Sequence, residues 1–123
     1  MGPVDWIAVF AAWIAAAALG AAVYGKRAMP VKGDLPRHAL AVALLLLTAA
    51  MMGHMFARVG AATLEAKPWL YAMMSGGLAL AFAGPTLFIA YARREIPQAA
   101  AWADYGFWLL CYLAMGAVFW LLA

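Results

Sequence analysis

The stretch RHALAVALLLLTAAMMGHMFA, residues 37–57, decides the fold of this 123-residue chain. Between Arg37 and Arg58 it contains no Asp, Glu, Lys or Arg. About 20 mainly apolar residues allow an α-helix to cross a hydrocarbon core of roughly 30 Å. We therefore predict that residues 37–57 form a transmembrane helix.

Three further apolar runs of similar length accompany this stretch, at residues 4–24, 69–92 and 102–122. Only 11% of the chain is charged and 70% is hydrophobic, whereas about 25% of a soluble domain is charged. Four spans leave room only for short connections. The sequence therefore predicts an all-α membrane protein, a single domain over residues 1–123, with four transmembrane helices in an antiparallel up-down bundle.

The basic residues are divided unequally between the connections. The first and third connections carry Lys26, Arg27, Lys32, Arg37, Arg93 and Arg94, whereas the second carries Arg58 and Lys67. Because basic loops stay in the cytoplasm, this division predicts that both termini face outward, into the periplasm of a bacterial inner membrane. The same positions explain the net charge of +3 by membrane topology, so we expect a lipid bilayer as the partner and no nucleic acid.

Small residues recur at four-residue spacing in three of the runs. Such residues let membrane helices approach closely, since lipid supplies no hydrophobic drive for association. They suit either the contacts of an antiparallel bundle or the face of a homodimer. The three stripes are Ala8, Ala12, Ala16 and Gly20; Ala49, Gly53 and Ala57; and Ser75, Ala79 and Ala83.

Pro85 interrupts the third run about two-thirds of the way along. It has no N–H to donate to the carbonyl of Ala81, and its ring presses on that turn, so we predict a helix kink. The freed carbonyl needs a donor from a hydroxyl or a neighbouring helix. Alternatively, the broken helix exposes its backbone to a solute, as in transporters. A homodimer could place a cavity beside Pro85, His54 and Thr86.

His54 is the deepest titratable residue, four positions inside Arg58. Met51 and Met55 share its helix face, and an antiparallel neighbour would bring other methionines to a similar depth. Imidazole and thioether ligands suit Cu(I), and a His with a Met can hold haem iron. The alternative is that the methionines fill gaps and His54 bonds a neighbouring backbone. The candidate cofactor or metal ligands are His54, Met51, Met55, Met73 and Met74, with Met115 in the same half.

A second polar group is expected at the cytoplasmic end, where His38 and Asp104 would lie among lipid headgroups. His38 is sixteen residues from His54, about 24 Å along a helix, so the two cannot share a metal within one chain. Cys111 lies inside the fourth run and has no partner cysteine. We interpret it as a packing residue.

No catalytic dyad, glycine-rich phosphate loop or zinc motif is present in the sequence, so enzymatic activity is not predicted. The leading hypothesis is a small membrane protein that acts as a homo-oligomer or as a subunit of a larger complex. Its role would be solute transport or support of that complex. The alternative is a copper- or haem-binding protein that uses the cluster around His54.

Overall fold

The computed structural model describes residues 3–24 and 35–123, apart from the side chains of residues 24, 35, 37 and 38. Over these ranges the chain is helical and contains no strand. The helices are α1 (Trp6–Tyr24), α2 (Leu35–Val59), α3 (Ala61–Ala66), α4 (Trp69–Leu78), α5 (Gly84–Arg93) and α6 (Gln98–Leu121). A π-helical segment, Ala79–Ala83, joins α4 to α5 without a break. This continuous unit is the third of the candidate membrane spans, and we call it the third spanning helix.

Among the described residues, four helices are long and apolar enough to cross a membrane: Trp6–Val23, Ala39–Val59, Trp69–Arg93 and Gln98–Leu121. The prediction of four such helices is confirmed. The largest difference in bounds is at α6, which begins four residues before the predicted start at Trp102. Three alanines follow Gln98 and favour helix, so the helix starts before the apolar run becomes continuous.

Helix α3 was not predicted, because its six residues are too few to give a hydropathy signal. Gly60 makes the turn from α2 into α3 with φ of 96°, a conformation that glycine adopts without strain. Its N–H donates to the carbonyl of Phe56, and its own carbonyl accepts from Leu64. Leu64 is buried in the core, so α3 covers one end of the helix assembly.

The neighbours of each helix follow a simple order. Helix α1 packs against α2 on one side and α6 on the other, and α6 packs in turn against the third spanning helix. A hydrogen bond also links α1 to α2: the indole N–H of Trp13 donates to the carbonyl of Val42 at 2.8 Å. In contrast, α2 makes few contacts with α6 and has hardly any with the third spanning helix.

The predicted small-residue stripes lie largely at contacts within the chain. Ala12 is fully buried. A Cβ on Gly53 would come within 2.5 Å of Val9, which seats α1 against α2. Gly116, outside the predicted stripes, lies against Ser75 and brings α6 onto α4. Most of these small residues are therefore buried in contacts between helices of the same chain.

Candidate binding groove

The third spanning helix changes its hydrogen-bond register just before Pro85. The Gly84 N–H donates to the carbonyl of Ala79, five residues back, instead of to that of Leu80. Pro85 has no N–H to offer. The carbonyl of Leu80 is therefore freed from the backbone ladder, whereas the sequence had suggested that of Ala81. The register shift of the π-helical segment accounts for the difference.

Tyr105 of α6 supplies the missing donor. Its hydroxyl donates to the Leu80 carbonyl, the kind of rescue by a neighbouring helix that a broken helix needs inside lipid. A Cβ on Gly84 would overlap the Tyr105 ring, so glycine is what admits the ring. The ring also stacks on Trp102 at 5.7 Å between centroids. The kink at Pro85 stays a prediction, but this stretch of helix is fixed to α6.

A groove of about 820 Å³ lies where α2 and the third spanning helix fail to meet. Six residues of α2 form one wall: Ala41, Leu44, Leu45, Leu47, Thr48 and Met51. Six residues of the third spanning helix form the other: Leu78, Phe82, Ala83, Thr86, Leu87 and Ala90. Trp108 and Tyr112 of α6 lie between the two walls, and we call these two the floor.

An aromatic cluster joins the two walls beyond one end of the groove. The Phe56 ring of α2 lies 4.9 Å from that of Tyr71 in α4 and 5.2 Å from that of Phe119 in α6, measured between centroids. The α2 wall of the groove begins at Met51, on the side of this cluster away from the α2–α3 turn. The α2 wall extends from Ala41 to Met51, which is about 15 Å at the helical rise. This length is about half the thickness of a bilayer's hydrocarbon core.

The groove is apolar except for a few groups that can hydrogen-bond. Thr48 of the α2 wall and Tyr112 of the floor each contribute a hydroxyl. Thr86 and Trp108 add one hydroxyl and one indole N–H to the lining. None of the fourteen lining residues is Asp, Glu, Lys, Arg or His. The surface therefore suits a hydrophobic, uncharged occupant.

His54 lies outside this groove. It is exposed, its Nδ1 is 2.8 Å from the carbonyl oxygen of Ala50, and its ring meets that of Trp6 edge-on at 5.7 Å. A backbone carbonyl on Nδ1 assigns the proton there and leaves Nε2 as the lone-pair nitrogen, which is the arrangement of many metal-binding histidines. The same contact is the one expected if His54 simply hydrogen-bonds to the backbone, which was the alternative to metal or haem binding.

The methionines proposed as ligands are distributed over several surfaces. Met51 is 67% exposed and lines the groove, and Met73 is 53% exposed, whereas Met115 is fully buried in the core. Met55 and Met74 pack partly buried against that core. Within the described residues no three His, Cys, Asp or Glu side chains are placed to hold a metal ion. Copper or haem binding stays a prediction, which metal and haem analysis of purified protein and of His54→Ala would test.

At the other end of the molecule, Asp104 accepts a 2.6 Å hydrogen bond from the hydroxyl of Tyr91. This bond joins α5 to α6 near the turn between them. The side chain of His38, predicted to lie in the same region, falls outside the described residues. Tyr91 was not predicted as a site residue, although it lies two residues before the end of α5 and Asp104 lies six residues after the start of α6.

The groove residues Thr48, Trp108 and Tyr112 were also missed as site residues. Their runs are apolar on every side, so spacing alone does not show which face meets a neighbour. Thr86 was singled out, but for a cavity in a dimer. Comparisons with protein-family models, with curated proteins and with solved structures found no match to this chain.

Proposed function

We propose that this protein is an integral membrane protein that takes up a hydrophobic molecule from the lipid phase into the groove between α2 and the third spanning helix. The side chains that face outward support membrane insertion. Ile7, Leu47 and Phe82 are each more than 60% exposed, and no more than 28% of any spanning window is buried within the chain. Water would make such exposure costly, whereas acyl chains would not.

The groove itself is the observation that carries the proposal. Sites for small molecules have volumes of about 300–1,000 Å³ and are mostly apolar, with a small number of polar groups. The groove has this size and this composition. It lies between two helices of the same chain and faces the region that lipid would occupy. A hydrophobic molecule could therefore enter sideways from the bilayer, without passing through water.

A small molecule fits the groove better than a helix of a second copy does. Close helix contacts need small residues aligned on one face, and Ala12, Gly53 and Gly84 are already covered within the chain. The walls also carry bulky side chains, such as Leu44 and Phe82, which would hinder the close approach of a second helix. Homo-oligomer formation, or membership of a larger complex, stays a prediction that concerns other surfaces.

We further propose the bacterial inner membrane as the location, with both termini outward, and transport or delivery of the hydrophobic molecule as the role. The excess of Lys and Arg in the first and third connections supports this orientation. The α2–α3 turn would then lie on the periplasmic side. The groove would open in the middle and cytoplasmic part of the membrane.

Blocking the groove tests the proposal. Ala41 and Ala43 are both exposed on α2, but only Ala41 lines the groove. We expect Ala41→Trp to obstruct the groove and Ala43→Trp to serve as the matched control. The protein in lipid nanodiscs is photolabelled with a dodecyl diazirine, and the modified residues are mapped by mass spectrometry.

Labelling at Thr86 and Leu87 should saturate with probe concentration and fall several-fold in Ala41→Trp, while Ala43→Trp behaves like the parent. Excess dodecane should compete at these residues. Labelling of Ile14, an exposed residue outside the groove, should rise linearly in all three proteins. If labelling at Thr86 rose linearly as well and dodecane did not compete, the groove would be ordinary lipid-facing surface and the proposal would be rejected.

A further inference from the structure

The groove brings hydroxyl groups from two different helices together inside a largely apolar lining. Thr48 from α2 and Tyr112 from α6 both line the groove. Each hydroxyl has one proton to donate and lone pairs to accept with. Even where one of the two donates to the other, the Thr48–Tyr112 pair keeps one O–H that can be given to a third group. Trp108, beside Tyr112 on the floor, carries an indole N–H that can only donate.

The lining also restricts the charge of an occupant. Among the described residues, the lining has no cationic side chain to neutralise an acid and no carboxylate to neutralise an amine. An unpaired charge in an apolar site surrounded by lipid is strongly disfavoured. Fatty acids in their ionised form and amphiphilic amines are therefore poor candidates, and neutral molecules are favoured.

A plain hydrocarbon would satisfy the charge requirement but would leave the spare O–H without an acceptor. Buried donors without partners are costly, so an occupant that supplies an acceptor binds better than one of the same size that does not. A carbonyl oxygen is a strong acceptor that carries no charge and adds little polar surface. It is the simplest group that meets both conditions.

We infer that the groove is specific for a neutral lipophile that carries a carbonyl group, such as a long-chain ketone, an ester or a quinone, whose oxygen accepts a hydrogen bond from the Thr48–Tyr112 pair. This inference rests on the proposed function, since it requires the groove to be a binding site. It adds the chemical class of the ligand and the two residues that recognise it.

Infrared spectroscopy of 2-dodecanone labelled with ¹³C at its carbonyl tests the inference in nanodiscs. The isotope separates the probe's band from the ester bands of the lipid. A hydrogen bond from the protein should shift part of the ketone band to lower frequency. Each single variant, Thr48→Val or Tyr112→Phe, keeps one hydroxyl and should keep part of the shift. The double variant should lose it, because no hydroxyl remains in the pair.

Binding is measured in parallel by competition with the dodecyl diazirine at Thr86. The parent should bind 2-dodecanone more tightly than dodecane, and the double variant should weaken ketone binding about 2- to 10-fold, as expected for one neutral hydrogen bond. Dodecane binding should not weaken. Thr63→Val, at an exposed position in α3 outside the groove, is the control and should match the parent.

The outcomes separate the inference from the proposed function. If ketone and dodecane compete equally and the ketone band is unshifted, the groove binds hydrophobic molecules without recognising a carbonyl group. The inference is then overturned, whereas the proposed function stands. If neither probe competes at Thr86, the groove is not a site and both fail. Replacing both hydroxyls by apolar groups of similar shape has little effect on stability, so the double variant should fold.

Discussion

Gly116→Ala is expected to lower the free energy of unfolding by about 1 to 3 kcal/mol, the usual cost of forcing an extra methyl group into a packed contact. A Cβ at this position would overlap the side chain of Ser75 and lie 2.9 Å from the carbonyl oxygen of Tyr71. Ser75 is fully buried, and its hydroxyl donates to the same carbonyl at 2.7 Å. The backbone of α4 therefore has to move away from α6 to admit the methyl group.

Gly106→Ala provides the control, because Gly106 lies in the same helix and has nothing within 4 Å of an added Cβ. Alanine should leave stability unchanged there or raise it by about 0.5 to 1 kcal/mol, since alanine loses less backbone entropy than glycine when the helix forms. Unfolding would be followed by circular dichroism in mixed micelles. Equal effects of the two substitutions would show that α4 and α6 do not make this contact.

Gly84→Ala is expected to be as destabilising, again by about 1 to 3 kcal/mol. The new methyl group would displace the Tyr105 ring and so break its hydrogen bond to the freed Leu80 carbonyl. Tyr105→Phe removes only that hydrogen bond and should cost less, about 0.5 to 1.5 kcal/mol. The difference between the two variants measures the displacement of the ring.

A double-mutant cycle makes this prediction specific. Once Tyr105→Ala has removed the ring, adding Gly84→Ala should cost little, so the two effects should not add. Additive effects would mean that Gly84 and Tyr105 do not touch. Because Phe82 and Thr86 line the groove on either side of Gly84, Gly84→Ala should also reduce saturable diazirine labelling at Thr86.

The four spanning helices could be predicted from the sequence because the signal for each is local. An apolar run followed by charges, as at Ala57 and Arg58, depends on neighbouring residues only. The irregular stretch around Pro85 was also predicted for a local reason, the missing N–H. Its donor was not, because Tyr105 is 25 residues away from Leu80 and nothing in either segment indicates the other.

The groove could not be predicted, since it results from the order in which the helices pack. Thr48 and Tyr112 lie on α2 and α6, which make few contacts with each other, and each residue sits in a run that is apolar on all sides. The sequence drew attention to His54 because titratable residues in membranes are uncommon. The structure instead shows a groove of about 820 Å³ among neutral side chains, lined by residues 41–51 of α2.

The small residues illustrate the same limit. Their four-residue spacing correctly indicated close contacts, but it did not distinguish contacts within the chain from those of a dimer. That distinction depended on which side chain fills each gap, such as Val9 at Gly53 and Ser75 at Gly116. The sequence pattern shows where small residues lie on a helix, whereas only the packed structure identifies the side chains that contact them.

Membrane insertion is the central claim, and cysteine accessibility tests it most directly. Single cysteines are placed at Thr63 between α2 and α4, at Glu95 between α5 and α6, and at Ala123, all exposed positions; Cys111 is fully buried and should stay unreactive. Intact bacterial cells are treated with a membrane-impermeant maleimide. We predict that positions 63 and 123 react in intact cells, whereas position 95 reacts only after the membrane is opened. Reaction of positions 63 and 95 from the same side would contradict the account, because the third spanning helix would then not cross the membrane.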